Sequence, residues 1–171
     1  MNAPIIHIIG LPGAGKTTLA KRLSKKLNLP IYGIGAYRSR FPMTAIGEAD
    51  AWLALLRDLS KGGWRNCILE TTGLNAREGF LSDALPFDRM IVIKLEASRK
   101  ILMQRICQKK KSEQGGKWLY SVHFKNKYEF VKKLYFSFKN IQAHFAVKTD
   151  GMTKKEVFDA VLKRIDSYFK G

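Results

Sequence analysis

The chain has 171 residues, 46% of them hydrophobic, and its 31 Lys and Arg against 14 Asp and Glu give a formal net charge of +17 at pH 7. This length suits one α/β domain, expected to span residues 1–171, and excludes two. Two cysteines exclude a disulfide framework, and the apolar stretch at 5–9 is too short for a signal peptide or a membrane span. We therefore expect a soluble, cytoplasmic protein that does not associate with membranes.

The first motif lies between a predicted strand at 4–9 and a predicted helix with apolar residues at 19, 20, 23 and 27. Residues 10–17 read GLPGAGKT, which fits the phosphate-loop pattern G-x-x-x-x-G-K-[ST]. In such loops backbone N–H groups converge on phosphates, the lysine reaches the β and γ phosphates, and the threonine hydroxyl joins the Mg²⁺ shell. We predict ATP and Mg²⁺ binding by Gly10, Gly13, Ala14, Gly15, Lys16, Thr17 and Thr18.

Apolar runs then alternate with helical patterns along the rest of the chain. Strands are predicted at 4–9, 30–34, 66–71, 89–95 and 144–149. A helix is predicted at 45–61, where Trp52, Leu55, Leu56 and Leu59 form one stripe before a glycine pair. Ser98 and Thr153 are expected to cap two later helices. This alternation predicts an α/β fold, a three-layer parallel sheet.

The order of these motifs resembles the P-loop kinases of the nucleoside monophosphate kinase and polynucleotide kinase group. The shared features are the phosphate loop, the Tyr37-Arg38 pair, a strand ending in Glu70, an arginine-bearing helix and a basic segment before the last strand. Residues 31–38 and 68–78 are similar to segments of polynucleotide kinases. The resemblance implies transfer of the γ-phosphoryl group of ATP.

The resemblance also implies roles for individual residues. Arg38 would hold the phosphate of the acceptor or the group in transfer. Glu70 would orient Mg²⁺ or take the proton of the acceptor hydroxyl. Arg105 would lie against the adenine or the triphosphate. With Lys16, these are the predicted catalytic residues, and Thr17 and Glu70 are the predicted metal ligands.

Polynucleotide kinases carry an acidic pair just before Tyr-Arg, where this chain has Gly35 and Ala36. Three explanations stay open. Glu70 or a substrate phosphate takes the role of the base, no base is needed because phosphoryl transfer relies on positioning and electrostatics, or the chain is an inactivated variant. For Arg77, an acceptor-site role and an ordinary surface position are both compatible with the sequence.

A basic lid is expected at about 108–120, where lysines precede a glycine pair; an exposed loop without a gating role is the alternative. The adenine is expected near residues 149–152.

Residues 94–140 carry 13 Lys and Arg against 3 Asp and Glu, an excess greater than one triphosphate requires. The excess favours a polyanionic partner, although a solvated basic face is also compatible with it.

A long helix is predicted at 121–142, with an apolar stripe of Phe124, Tyr128, Val131, Tyr135 and Phe138 that belongs to the core. Lys125, Lys132 and Lys139 recur every seven residues along another line of this helix. Such a lysine ridge can follow the phosphates of DNA, and this makes nucleic acid the expected partner. An ordinary solvated helix face is the alternative.

These observations lead to one main hypothesis and two alternatives. The main hypothesis is a kinase that phosphorylates a hydroxyl on a nucleic acid, such as the hydroxymethyl group of a modified pyrimidine. In this respect the chain is similar to phage kinases that act on 5-hydroxymethyluracil in DNA, which would place it in the host cytoplasm. The alternatives are a kinase for free nucleotides or another small metabolite, and an ATP-dependent nucleic-acid-binding switch without a phosphorylated product. The oligomeric state is left open.

Overall fold

The computed structural model describes residues 5–74, 90–112 and 124–170 of the chain. Within these ranges five parallel strands form one sheet in the order β2-β3-β1-β4-β5. The strands are β1 (Ile5–Gly10), β2 (Ile31–Gly33), β3 (Ile68–Glu70), β4 (Met90–Glu96) and β5 (Phe145–Lys148). All five predicted strands are confirmed.

Helices cover both faces of this sheet. They are α1 (Lys16–Leu27), α2 (Ile34–Arg38), α3 (Ala45–Lys61), α4 (Arg99–Ser112), α5 (Lys127–Lys139) and α6 (Lys154–Lys170). In β1, Ile6 and Ile8 join a core cluster with residues of α1 and α6, whereas Ile5 and Ile9 join a second cluster with residues of α3. Alternate side chains of one strand thus pack on opposite faces, and the predicted three-layer α/β architecture is confirmed.

Local capping sets the bounds of several helices. Thr44 Oγ1 accepts a hydrogen bond from Gly47 N, so α3 begins at Ala45. It ends at Lys61, before the glycine pair, as predicted. At the start of α6, Thr153 and Glu156 exchange backbone-to-side-chain hydrogen bonds of 2.6 and 3.2 Å, which is the capping box expected from the sequence.

The helix predicted at 121–142 is shorter in the described part of the chain, where α5 spans Lys127–Lys139. Asn126 is its N-cap, because Oδ1 of Asn126 accepts a 3.0 Å hydrogen bond from Glu129 N. Lys125 precedes that cap, so the prediction that three lysines share one helical ridge is wrong; Lys132 and Lys139 remain on α5. The predicted apolar stripe does pack into the core.

Only the start of the predicted lid lies within the described residues, and the lid stays a prediction. Residues 108–112 are helical and continue α4, because lysine and glutamine favour helix and α4 is anchored by its buried Leu102 and Ile106. Residues 113–120 lie outside the described residues, as do Arg77 and His123. Among the described helices, none is long and apolar enough to cross a bilayer.

Candidate active site

The phosphate loop connects β1 to α1 and depends on its glycines. Gly13 has φ +86°, and a Cβ atom there would lie 2.9 Å from the carbonyl oxygen of Leu102. Gly15 has φ +99° and precedes the first turn of α1, but a Cβ atom there would meet nothing within 4 Å. Gly13 is thus required by close packing, whereas Gly15 faces open space at the N-terminus of a helix. That position favours a bound anion.

Lys16 is the first residue of α1, and its side chain turns back into the loop. The residue is 6% exposed. Its ammonium group donates hydrogen bonds to the carbonyl oxygens of Gly10 at 2.8 Å and Leu11 at 3.4 Å. Gly10 therefore holds the lysine through its backbone. These bonds keep one positive charge inside the loop.

Thr17 and Glu70, the two predicted metal ligands, lie in contact. Thr17 Oγ1 donates a 2.6 Å hydrogen bond to Glu70 Oε1. The contact follows from sheet order, because β3 pairs with β1 and brings Glu70 opposite Ile8 near the loop. Among the described residues, no group of three or more His, Cys, Asp and Glu side chains could hold a metal ion. A hydroxyl and one carboxylate instead suit Mg²⁺, which usually keeps several waters and binds substrate phosphates.

A buried polar contact supports the backbone just after Glu70. Thr71 Oγ1 lies 2.8 Å from His7 Nε2 and accepts a hydrogen bond from Gly73 N. Burial lowers the pKa of His7 to about 3, so the imidazole is neutral at pH 7. His7 thus has a structural role. His144 is also structural, since its Nδ1 accepts a 2.9 Å hydrogen bond from Val92 N.

A cavity of about 540 Å³ opens in front of the loop. Its floor is formed by the loop and the start of α1, and its walls by Glu70, Arg105 and the first turns of α5 and α6. Seven of the predicted nucleotide contacts line it: Gly13, Ala14, Gly15, Lys16, Thr17, Thr18 and Arg105. The volume is within the usual range of small-molecule and cofactor pockets.

Arg105 connects two walls of this cavity. Its guanidinium donates 2.8 Å hydrogen bonds to both Oγ1 and the backbone oxygen of Thr149, and a 3.4 Å bond to the carbonyl oxygen of Gly13. The segment after β5 is thereby fixed relative to the phosphate loop. Met152 lines the same cavity, so part of the segment predicted to meet adenine lies beside Arg105.

Arg38, predicted to hold the phosphate of the acceptor or the group in transfer, is paired with a carboxylate of α3 in this structure. It is 7% exposed, and its guanidinium donates to both carboxylate oxygens of Glu48, at 2.7 Å from Nε and 2.5 Å from Nη2. Trp52 Nε1 donates a 3.0 Å bond to Glu48 as well. Arg38 therefore joins α2 to α3. Glu48 is not among the predicted site residues, although its spacing of four residues from Trp52 on a predicted helix is a usable signal.

The two residues that precede Tyr37 provide no carboxylate but leave room for one. Ala36 is exposed on α2, and a Cβ atom added at Gly35 would meet nothing within 4 Å. Tyr37 itself is buried, and its hydroxyl donates a 2.8 Å hydrogen bond to Asp58. Burial, and then this bond, raise the pKa of Tyr37, so the phenol stays protonated.

The basic segment at 94–140 does not expose all of its charged side chains to solvent. Lys125, Lys132 and Lys139 are exposed, as a surface ridge would be, but none of them lines the 540 Å³ cavity. Lys94 is buried on β4, where its ammonium group pairs with Glu96 at 3.0 Å and donates a 2.7 Å bond to the carbonyl oxygen of Lys139. At least one charge of the block therefore stabilises the C-terminal end of α5 and does not contact a partner.

No protein-family model and no curated protein matches the sequence. Solved structures do match the fold. A shikimate kinase from Acinetobacter baumannii, in complex with shikimate, is 19% identical with a TM-score of 0.66, over 97% of this chain and 94% of that chain. A gluconokinase from Sinorhizobium meliloti 1021 is 16% identical with a TM-score of 0.63, over 99% and 98%. A thymidylate kinase from Candida albicans is 16% identical with a TM-score of 0.61, over 98% and 92%. The chain thus has the fold of these P-loop kinases.

Proposed function

We propose that the protein is an ATP-dependent kinase that uses Mg²⁺ and transfers the γ-phosphoryl group to a hydroxyl of a small-molecule acceptor. The observation that carries this proposal is the 2.6 Å contact between Thr17 and Glu70, next to Lys16 in a cavity formed by a phosphate loop. The neighbours named as kinases of shikimate, gluconate and thymidylate support the same type of reaction. They support a small acceptor better than a nucleic acid.

The residues present fit ATP and Mg²⁺. The open space at Gly15, at the helix N-terminus, suits phosphate oxygens. Thr17 and Glu70 would hold Mg²⁺ through hard oxygen atoms, and the ion would supply charge neutralisation to the phosphates. Arg105, Met152 and the start of α6 form the end of the cavity that is left for the base.

The chain's own residues have separate tasks in this proposal. Lys16 places its charge beside the β and γ phosphates and stabilises negative charge that develops during transfer. Glu70 orients the Thr17 hydroxyl before the substrates bind. Arg105 keeps the segment after β5 at a fixed distance from the loop, so the base and the phosphates are positioned together.

Nucleic acid as the acceptor is the second candidate, and one observation favours it. Lys125, Lys132 and Lys139 are exposed within a segment whose net charge is +10. A surface of this kind attracts phosphates whatever the sequence of the nucleic acid. This lysine surface would bind the phosphates of the nucleic acid outside the cavity, while one hydroxyl group of the same nucleic acid reaches Glu70.

An assay with γ-labelled ATP tests the proposal and separates the two candidates. The acceptors are sugars, nucleosides and nucleotides on one side, and plain DNA and hydroxymethylpyrimidine DNA on the other. We expect a labelled small-molecule product, and no label with the Lys16→Ala variant. Label on DNA alone would favour the second candidate. ATP binding without any labelled product would favour the switch and contradict the kinase.

A further inference from the structure

Another cavity, of about 440 Å³, lies at the C-terminal ends of β4 and β5 and shares no lining residue with the cavity in front of the phosphate loop. Its walls come from the connection between β4 and α4, the second half of α5 and the residues around the end of β5. Open α/β sheets bind their ligands outside the carboxyl ends of the strands. The volume is also within the usual range of small-molecule pockets.

The floor of this cavity is apolar. It is formed by four buried side chains, each no more than 4% exposed: Leu11, Leu95, Leu102 and Phe138. Tyr135 is half-buried and adds a second aromatic ring to the wall. A ligand that fills this space therefore needs an apolar body, and a flat aromatic one suits the two rings.

Charged side chains surround the apolar floor: Glu96, Lys139, Lys148 and Asp150. Both carboxylates already have partners. Glu96 pairs with Lys94 at 3.0 Å. Both oxygens of Asp150 accept from Ser98 N at 3.0 Å, just before the first residue of α4. The N-terminal end of the α4 dipole stabilises that negative charge as well.

The two lysines lie on one face of the sheet. Glu96 and Lys148 are in register on neighbouring parallel strands, so their side chains leave the sheet on the same face. Lys94, two residues before Glu96, shares this face and donates a 2.7 Å bond to the carbonyl oxygen of Lys139, which places the end of α5 there too. Within the described part of the chain, no carboxylate forms an ion pair with Lys139 or Lys148.

We propose that this cavity is a second small-molecule site, which binds an aromatic compound that carries one carboxylate. The aromatic body packs between Tyr135 and Phe138, and its carboxylate pairs with Lys139 and Lys148. The charges around the cavity fit one anionic group, because three ammonium groups face two carboxylates: Lys94, Lys139 and Lys148 against Glu96 and Asp150. The site is independent of the proposed kinase reaction.

Titration of the isotope-labelled protein with 2-naphthoate, followed by amide NMR spectra, tests this inference. We expect the amide signals of Ala97 and Lys148, which line the cavity, to shift with a Kd of about 1 mM or lower, the ordinary affinity of a ligand of this size. The neutral analogue 2-naphthamide has the same shape. It should bind at least about fivefold more weakly, because hydrogen bonds between charged groups are the stronger ones.

The double variant Lys139→Gln/Lys148→Gln removes both positive charges and should weaken 2-naphthoate binding at least about tenfold, with 2-naphthamide unaffected. Lys155→Gln/Lys163→Gln, at exposed positions of α6 that line neither cavity, is the matched control for net charge.

Four results would each overturn the inference: shifts confined to the phosphate loop, no shift at all, equal affinity for the carboxylate and the amide, or an equal loss in the control variant. The comparison of the two probes uses the unchanged protein. It therefore decides the matter even if the double variant does not fold.

Discussion

Thr17 Oγ1 donates a 2.6 Å hydrogen bond to Glu70 Oε1 across 53 positions of sequence. A hydroxyl at the start of α1 is thereby oriented by a carboxylate at the end of β3, on the strand beside β1. Both groups are hard oxygen donors, and both belong to the cavity in front of the phosphate loop. The relationship explains why the arrangement suits a magnesium-dependent reaction although the described residues form no larger acidic cluster.

Glu70→Gln tests the metal role of this pair. The amide keeps the side-chain size but removes the charge, so we expect the Mg²⁺ concentration for half-maximal activity to rise at least about tenfold. ATP titrated without Mg²⁺ should bind as before. The activity of the variant is measured over a series of Mg²⁺ concentrations, and an unchanged requirement would exclude Glu70 from the metal site.

Ala36→Asp tests whether the missing carboxylate limits the rate. Ala36 is exposed, so the substitution costs little stability. A general base at this place would raise the single-turnover rate by about a hundredfold to ten-thousandfold, while ATP affinity would stay the same. If Glu70 is already the base, Ala36→Asp should have little effect and Glu70→Gln should abolish turnover even at saturating Mg²⁺. Full activity in both variants would mean that no carboxylate base is required.

Arg105→Lys tests the connection between Thr149 and the loop. Lysine keeps the charge but lacks the planar fork that contacts Thr149 and Gly13 together. We expect the KM for ATP to rise about tenfold, since hydrogen bonds from a charged group contribute about 1.5–3 kcal/mol. Arg99→Lys, at an exposed position on the same helix, is the matched control. Equal effects of the two substitutions would contradict a specific role for Arg105.

The exposed lysines predict a salt-dependent affinity for DNA if the second candidate function is correct. Each lysine that contacts a phosphate should contribute about one unit to the slope of log affinity against log salt. Replacing Lys125, Lys132 and Lys139 with Gln should reduce that slope by about three. The matched control replaces the exposed Lys21, Lys25 and Lys26 of α1. Absence of DNA binding at low salt would leave the small acceptor as the only proposal.

The buried His7 predicts a loss of stability at acid pH. Its pKa is lowered by burial to about 3, below the ordinary value of 6.5, so the unfolded chain binds the proton more readily than the folded one. Stability is therefore complete above pH 6.5 and falls as the pH decreases from there toward 3. Between pH 7 and pH 5 the free energy of unfolding should decrease by about 2 kcal/mol. Urea unfolding at both pH values measures this, and His7→Gln should remove most of the decrease.

Sequence periodicity was sufficient for the fold, because each element carries its own local signal. The stripe of α3 and the apolar runs of the strands depend only on neighbours in sequence, as does the Thr153 capping box. The predicted helix at 121–142 failed at its start, because the Asn126 cap was overlooked within a continuous apolar and basic pattern. Because the helix begins later than predicted, Lys125 lies outside it, and the three lysines do not share one helical ridge.

The candidate site was only partly predictable, because some of its contacts depend on how the helices pack against each other. The loop motif identified Lys16 and Thr17 directly, and strand order brought Glu70 to them. The Arg38–Glu48 pair depends on how α2 packs against α3, and the burial of Lys94 depends on where α5 ends. The spacing of Glu48 and Trp52 indicates their own contact, but neither the packing of α2 against α3 nor the end of α5 has a signature in the sequence. The contact of Arg38 with α3 could therefore not be read from the sequence, and its predicted role toward a substrate stays a prediction.

The proposed function requires that ATP bound at the loop transfers its γ-phosphoryl group to an acceptor hydroxyl. Phosphorus NMR of ATP, Mg²⁺, the protein and the small-molecule acceptors tests it most directly. We expect the γ signal of ATP to decay while ADP and a phosphomonoester form in equal amounts, and we expect Lys16→Ala to prevent both. Conversion of ATP to ADP and inorganic phosphate alone, whatever the acceptor, would contradict the claim.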